Sequence, residues 1–284
     1  IFGVNRLGLR FPSALASLLS IVLLIWMSYR RFGAQTALIA GVILTTTVHF
    51  ITRHSGRTGN LDAALTLLFL LFVWSLVSFS ETKKVLFFYL SAFVISLIFL
   101  LKSFSVAFPL GVLLVALLLI RPRLKWFHYG IFSVVLATPI LAWAVLRYQV
   151  DGLNFFSEMI RLDLFLMSKK TVDGHAGHAL AYLKILAVYF FPWCLFLLYL
   201  PFHKNKALNQ SQNEKPSFSL QLNGFYKNPI WALAILVPLL IISIIIETKT
   251  EWYVIPIYPF LALMIAWHLS DILSMVVGRR LKLV

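Results

Sequence analysis

Residues Thr52–Leu68 read TRHSGRTGNLDAALTLL, and the interpretation of the whole chain starts from them. Arg53, His54 and Arg57 stand just before a long apolar run, and Asp62 stands at the mouth of that run. A run of this length predicts a membrane-spanning helix, so Asp62 lies at the hydrocarbon boundary, where ionisable groups are costly and tend to mark a functional site. The alternative is a helix start, where a carboxylate in the first turn interacts favourably with the helix dipole.

The composition predicts an all-α polytopic membrane protein. Of 284 residues, 61% are hydrophobic and 12% are charged, whereas soluble domains carry about 25% charged residues. The net charge of +15 does not indicate nucleic-acid binding, because the basic residues fall in short loops between apolar runs, as the positive-inside rule requires. The single cysteine, Cys194, lies within an apolar run and gives neither an intrachain disulfide nor a metal cluster.

Apolar runs of spanning length predict about nine transmembrane helices in a single transmembrane domain, residues 1–284. Two polar segments interrupt them, 148–178 and the flexible stretch 202–228, which we interpret as a linker before the last pair of spans. The predicted spans are 11–29, 35–51, 61–79, 85–101, 105–120, 127–147, 179–200, 229–247 and 253–270.

The loops predict an orientation. Alternate loops, beginning with Arg30 and Arg31, are basic and belong on the cytoplasmic side. The other loops and the N-terminus then face outward, and they mix acids, bases and histidines. Such a mixture is typical of a reactive or anion-binding site, so any chemistry is expected on the outer side.

Two outward clusters contain a lysine beside an apolar run. Lys102 lies between two apolar runs, where it either snorkels to the headgroups or provides a cation for a lipid phosphate. Lys249 and Tyr253 stand four residues apart at the start of the last span, although an aromatic belt also explains the tyrosine. Pro256 and Pro259 are expected to break or kink that helix.

The outward segment 148–178 ends in DGHAGH, which places His175 and His178 near two glycines. These histidines are candidate ligands for a divalent metal, but no third ligand is evident, and phosphate or sugar binding or interfacial solvation are alternatives. The sequence contains no phosphate-cradling glycine-rich loop and no Ser/His/Asp arrangement. A transferase with outward residues would therefore need a donor already carried across the membrane on a lipid.

Five motifs in order resemble one family. The chain is similar to the GT-C membrane glycosyltransferases related to protein O-mannosyltransferases, with most resemblance to the lipid A aminoarabinose transferases, over essentially all of its length. The motifs are FGVNRLGLRFPSAL at 2–15, RTGNLDAALTLL at 57–68, LLKSFSVAFP at 100–109, HAGHALAYL with FPW at 175–193, and TKTEWYVIPIYPFLAL at 248–263.

The resemblance implies a GT-C fold and a hexosyl- or pentosyltransferase. The donor would be a polyprenyl-phosphate sugar and the acceptor a lipid or protein on the outer side of a bacterial inner membrane. The reaction would be an inverting displacement at the anomeric carbon, with a carboxylate as general base and cations on the departing phosphate. Asp62 matches the family's acidic residue, and Lys102 matches its lysine, although Ser103 replaces the usual glycine.

Further positions match the family's substrate contacts. Lys249 and Tyr253 match the lysine and tyrosine beside the lipid phosphate, and His175 matches the histidine of the long loop. Arg161 corresponds approximately to a loop arginine that meets the phosphate. Arg53 and Arg57 would either hold Asp62 ionised or meet the donor phosphate.

The family's principal catalytic carboxylate lies in the first outward loop, and this chain begins beyond that loop. The outward N-terminus with an odd number of spans agrees with one missing span, so we expect the 284-residue chain to be inactive alone. Restoring the upstream region and assaying lipid-linked sugar transfer tests this expectation. The alternatives from other classes are a multi-span lipid or polysaccharide transporter and a structural membrane subunit; a transporter should show repeated halves and polar residues near the bilayer midplane.

Overall fold

The structure is a computed structural model that describes residues 5–53, 55–161, 181–198, 228–246 and 249–281. Within these residues it contains helices and no strand, as the composition predicts. The helices are α1 Arg6–Phe32, α2 Ala34–Thr46, α3 Val48–Thr52, α4 Asp62–Thr82, α5 Val85–Leu101, α6 Ala107–Ile120, α7 Trp126–Asp151, α8 Asn154–Ile160, α9 Ala181–Tyr189, α10 Ile230–Leu240 and α11 Tyr258–Leu281.

The helix boundaries follow local chemistry. The Asn5 side chain accepts a hydrogen bond of 2.8 Å from the Gly8 amide and caps α1. Gly33 ends that helix with φ +89°, a left-handed conformation that glycine adopts without strain, and the chain turns directly into α2. Arg30 and Arg31 lie in the last turn of α1, where their charges complement the helix dipole.

Five described helical segments are long and apolar enough to cross a membrane: 6–32, 62–82, 103–120, 126–151 and 251–274. Three shorter apolar helices, 34–46, 85–101 and 230–244, accompany them. Each of the nine predicted ranges contains a helix in the described part of the chain, but α2 would rise only about 20 Å, less than a hydrocarbon core. The nine-span topology therefore stays a prediction.

The centre of the bundle is formed by α4 and α11. In the most apolar 18 residues of segments 62–82 and 251–274, the latter including the turn before α11, 67% and 78% of the residues are buried within the protein, compared with 6% in segment 126–151. Phe69 of α4 meets Phe260 of α11 edge to face, with ring centroids 5.5 Å apart. The elements that carry Asp62 and Tyr253 are thus held by the best-packed part of the protein.

Several predicted spans are interrupted. The predicted span 35–51 breaks at Thr47 into α2 and α3, and the span 229–247 passes from α10 into a π-helical turn, Ile241–Ile245. Before α11 the chain forms a 3₁₀ segment, Glu251–Ile257, which contains Pro256 and confirms the expected break. A 3₁₀ turn, Ser103–Val106, likewise separates α5 from α6. The apolar pattern does not reveal the breaks at Thr47 and Ile241, because each lies within a continuous hydrophobic run, whereas the turn at Ser103 falls in the gap between the predicted spans 85–101 and 105–120.

The loops gather at two ends of the bundle. At one end Arg31 of α1 forms an ion pair of 3.3 Å with Glu81 near the end of α4. At the other end Asp62, the first residue of α4, meets Lys102. These ends are about 28 Å apart along α4.

The two predicted polar segments lie mostly outside the described residues. Of 148–178, residues 148–161 are described, and the stretch NFFSEMIR within it forms α8 with Arg161 following. Of the predicted linker 202–228, only Asn228 is described, and it donates a hydrogen bond of 2.6 Å to Ser80.

Candidate functional site

An ion pair between Asp62 and Lys102 forms the centre of the candidate site. Lys102 Nζ lies 2.8 Å from Asp62 Oδ1, and the two residues are 40 positions apart in the chain. The Asp62 side chain is 7% exposed and the Lys102 side chain 29%. The two interpretations of Asp62 are compatible, because the residue opens α4 and also holds a specific partner in a poorly solvated place.

The break between α5 and α6 explains the position of Lys102. Lys102 follows the last residue of α5 in a non-helical conformation, φ −157° and ψ 86°, and the 3₁₀ turn begins at Ser103. The interruption places the ammonium at the mouth of the bundle and directs it toward the start of α4. Lys102 is therefore not simply a lysine that extends to the headgroups.

Tyr253 lies over the Lys102 ammonium and comes from a third part of the chain, the 3₁₀ segment before α11. The Lys102 ammonium lies 5.6 Å from the centroid of the tyrosine ring, within the range of a cation–π contact. Tyr253 belongs to the 3₁₀ segment Glu251–Ile257, whose residues Val254 to Ile257 are buried. An anion that reaches Lys102 would meet the tyrosine as well.

A cavity of about 370 Å³ opens beside this cluster. Lys102, Ser103 and Tyr253 lie at its polar end, and aromatic side chains that include Trp143 and Phe155 form other walls. Trp143 and Phe155 pack edge to face with centroids 5.8 Å apart. A cavity with one cationic end and apolar walls suits an amphiphile that combines an anionic group with a hydrocarbon chain.

Arg53 contacts a carboxylate other than the expected one. Its guanidinium pairs with Glu251 at 3.1 Å and donates to the Tyr189 hydroxyl at 3.0 Å. The hydrogen bond to Glu251 raises the pKa of Arg53 above its ordinary value. The suggestion that Arg53 holds Asp62 ionised is thus not what the structure shows, since Lys102 occupies that place. Arg53 instead ties the loop before α4 to the segment that carries Tyr253.

A buried polar pair supports the same segment. His49 Nδ1 lies 2.8 Å from the Tyr258 hydroxyl, and the imidazole stacks on Tyr189 at 4.6 Å. The sequence reasoning missed His49, Tyr189 and Glu251. An ionisable histidine inside an apolar run was the available signal, because such residues rarely lie in a membrane segment without a specific partner.

Lys249 lies near the site but faces the backbone. Its ammonium donates to the carbonyl oxygens of Ile242 at 2.9 Å and Ser243 at 2.8 Å, and also to that of Ile246. These contacts satisfy carbonyl groups where α10 unwinds through the π-helical turn. Lys249 also lines a second cavity of about 430 Å³ together with Lys184 and Glu251.

The other predicted contacts are not brought to the centre of the site. Arg161 pairs with Glu158 at 3.0 Å on the exposed surface of the segment that follows α7. Arg57 is exposed, and the structure gives it no ion pair with a carboxylate in the described part of the chain. His175, His178 and His54 lie outside the described residues.

The metal prediction falls on the same undescribed segment. In residues 5–53, 55–161, 181–198, 228–246 and 249–281, no three His, Cys, Asp or Glu side chains converge in a way that could hold a metal ion. The described residues thus offer no observation that fits a metal.

The fold and the geometry of the site together define a class of protein. Several apolar helices form a multi-pass membrane protein, and at one end of the bundle a carboxylate, an ammonium and a phenol ring meet beside an amphiphilic cavity. This arrangement can accept a proton and can bind an anionic group next to a hydrocarbon chain.

The sequence comparisons identify the family. Residues 1–143, half of the chain, match the family model described as dolichyl-phosphate-mannose-protein mannosyltransferase, and the chain belongs to that family. It is also 28% identical over 276 residues to a protein of Aquifex aeolicus (strain VF5) described as uncharacterized. That match covers 95% of this chain and 50% of the Aquifex protein.

The structural comparison shows a fold shared with another membrane protein, ArnT. The chain is similar, with a TM-score of 0.71 in each case, to crystal structures of ArnT from Cupriavidus metallidurans bound to undecaprenyl phosphate and in the apo state. The identities are 20% and 18%, and each match covers 95% of this chain. The chain spans about half the length of these proteins, 47% and 46%.

Proposed function

We propose that the protein is an integral membrane glycosyltransferase that moves a sugar from a polyprenyl-phosphate carrier to a lipid or protein acceptor on the outer side of the membrane. Family membership, the GT-C fold and the site chemistry support this proposal. The observation that carries it is the buried Asp62–Lys102 ion pair, covered by Tyr253 at the polar end of the amphiphilic cavity.

The cavity matches the two halves of such a donor. The phosphate group is anionic and takes its place at Lys102, where a charge-assisted hydrogen bond forms. The first isoprene units are hydrocarbon and take their place against Trp143 and Phe155. The similar structure of ArnT contains undecaprenyl phosphate, which is a ligand of this chemistry.

The reaction is an inverting displacement. Asp62 acts as the second carboxylate of the site, beside the principal carboxylate expected upstream, and this carboxylate pair accepts the proton of the acceptor hydroxyl while the acceptor oxygen forms its bond to the anomeric carbon. The bond between that carbon and the phosphate oxygen breaks, and the bonding electrons leave with the polyprenyl phosphate. Lys102 balances the charge that develops on the departing oxygen, so its ammonium turns from Asp62 toward the phosphate as the donor binds.

The remaining predicted contacts complete the proposal. Tyr253 lies beside Lys102 and meets the donor, and Lys249 lines the second cavity, where it meets the donor or the acceptor. Arg53, Arg57 and Arg161 provide exposed cationic groups at this end of the bundle. His175 is proposed as a substrate or divalent-metal contact from the resemblance alone.

We also propose the predicted topology of nine spans with the site end facing outward, in a bacterial inner membrane. The basic loops around Arg30 and Arg31, at the opposite end from Asp62, support that orientation.

The test measures binding and transfer separately in the protein with its upstream region restored. Lys102→Met should weaken binding of polyprenyl phosphate about tenfold or more, the scale of a charged hydrogen bond. Asp62→Asn should lower sugar transfer strongly and change donor binding little. Lys84→Met removes an exposed lysine at the opposite end and serves as the control. Unchanged polyprenyl-phosphate binding by Lys102→Met would falsify the assignment.

A further inference from the structure

A basic loop joins α6 to α7 at the end of the bundle opposite the candidate site. α6 begins directly after the 3₁₀ turn that follows Lys102, and it rises about 21 Å before it ends at Ile120. The loop consists of residues 121–125, which read RPRLK, and α7 starts with the next residue. This loop is therefore separate from the cluster of Asp62, Lys102 and Tyr253.

The exposure of side chains alternates along the loop. Arg121, Arg123 and Lys125 are exposed, whereas Pro122 and Leu124 are partly buried. Leu124 packs against the hydrophobic core, and its amide donates a hydrogen bond of 2.9 Å to the Pro122 carbonyl, which closes a tight three-residue turn. The loop is thus fixed by its apolar residues and presents its cations on the surface.

Two of the three cations have no contact within the protein. Arg121 donates to the carbonyl oxygen of Leu118 at 3.3 Å, at the end of α6 where a cation complements the helix dipole. The side chains of Arg123 and Lys125 form no hydrogen bond or ion pair in the described part of the chain. Their Cα atoms are at most about 7 Å apart, so both side chains can reach one anionic group.

The acids at this end of the bundle do not neutralise the loop. The first turn of α7 contains no acidic residue. Glu81 pairs with Arg31 at 3.3 Å. The predicted linker 202–228 carries one acid, Glu214, against four lysines. The charge of Arg123 and Lys125 is therefore available to an anion from outside the chain.

Trp126 indicates where that anion comes from. The residue follows Lys125, is 84% exposed, and makes no ring contact with another described residue. Segment 126–151, which it opens, is apolar and buries little of its surface within the protein. A tryptophan beside cations at the start of such a helix is typical of the headgroup level of a membrane, where the ring and the charges are both solvated favourably.

We propose that the loop binds the phosphate of an anionic membrane phospholipid. Arg123 and Lys125 donate charge-assisted hydrogen bonds to the phosphate, and the Trp126 ring lies among the glycerol and upper acyl groups. A headgroup that also carries an ammonium is disfavoured, because it would place a third cation beside these two side chains. Clusters of basic residues next to a membrane helix recognise anionic lipids in this way.

The experiment measures the affinity of the purified protein for phosphatidylglycerol and for phosphatidylcholine in mild detergent, by native mass spectrometry. The wild type should bind phosphatidylglycerol about thirtyfold more tightly, since each of two cations at an anionic surface contributes about fivefold. Arg123→Gln/Lys125→Gln should bind the two lipids equally. The matched control Arg6→Gln/Arg10→Gln removes two exposed cations at the opposite end and should keep the preference.

Two further variants separate charge from local structure. Arg123→Lys/Lys125→Arg keeps both charges and should keep most of the preference, whereas Trp126→Ala should lower the affinity for both lipids and leave their ratio unchanged. Equal binding of both lipids by the wild type, an undiminished preference in Arg123→Gln/Lys125→Gln, or its loss in the control would overturn the proposal. Displacement of phosphatidylglycerol by an equal concentration of inorganic phosphate or of a short oligonucleotide would exclude a lipid as the specific ligand.

Discussion

Removal of Lys102 should destabilise the protein more than removal of Asp62. The Asp62 side chain is 7% exposed and the Lys102 side chain 29%, and Nζ and Oδ1 are 2.8 Å apart. Lys102→Met leaves a carboxylate buried without its cation. Loss of one partner of a buried ion pair costs 3–5 kcal/mol, and partial solvation of this pair favours the lower end, about 3 kcal/mol.

Asp62→Asn should destabilise the protein less than Lys102→Met, because the lysine that remains can be solvated. The flexible stem of Lys102 lets its ammonium reach solvent, and the asparagine oxygen still accepts a hydrogen bond. We expect a cost of about 1 kcal/mol, close to that of a solvated ion pair. The double variant Asp62→Asn/Lys102→Met should cost about as little as Asp62→Asn alone, because no buried charge is left. The pair therefore has an expected coupling energy of about 3 kcal/mol.

The assay is equilibrium unfolding of the full chain in mixed detergent micelles, with Lys84→Met as the matched control. Lys84 is exposed, and its substitution should change the free energy of unfolding by less than about 0.5 kcal/mol. Equal costs for the two single variants, or strictly additive costs in the double variant, would refute the buried ion pair.

Three further predictions concern the surroundings of the site. Glu251→Gln removes the charged partner of Arg53 and loosens the segment that carries Tyr253, so the rate of sugar transfer, measured with the upstream region restored, should fall severalfold; an unchanged rate would show that the Arg53–Glu251 pair does not position this segment. Lys249→Met leaves up to three carbonyl oxygens without their donor and should lower the free energy of unfolding by about 1–3 kcal/mol, measured by unfolding in detergent micelles; an unchanged midpoint would contradict that structural role. Trp143→Ala removes part of the apolar wall of the 370 Å³ cavity and should weaken binding of long-chain polyprenyl phosphate more than binding of a short-chain analogue. Equal losses of affinity for both ligands would show that this wall does not contact the hydrocarbon chain of the donor.

The sequence predicted the helical class and the two-ended distribution of charge because both depend on composition and spacing. It also singled out Asp62, Lys102 and Tyr253, which the structure brings together within one cluster. Lys249 was chosen with the same reasoning, yet its ammonium meets backbone carbonyls instead of the cluster. A lysine within a motif indicates that a cation is needed in that region, but it does not indicate which acceptor the ammonium group contacts.

The partner of Arg53 illustrates the same limit. Arg53 is nine residues before Asp62, and proximity in the chain favoured a contact between them. In the folded protein Arg53 reaches Glu251, 198 positions away, while Asp62 takes Lys102. Pairing between distant segments depends on which helices pack together, and hydropathy carries no information about that choice.

The sequence by itself determined that the chain is a membrane-embedded helical protein with ionisable groups concentrated where its apolar runs begin and end. A chain in an apolar solvent can adopt few structures other than helices, because its buried backbone N–H and C=O groups must form hydrogen bonds within each helix. Only the tertiary structure decided which charges then meet. The interruptions before Ser103 and Tyr258 let Lys102 pair with Asp62 and let Tyr253 lie over Lys102, since packing around α4 and α11 brings these irregular segments to one end of the bundle.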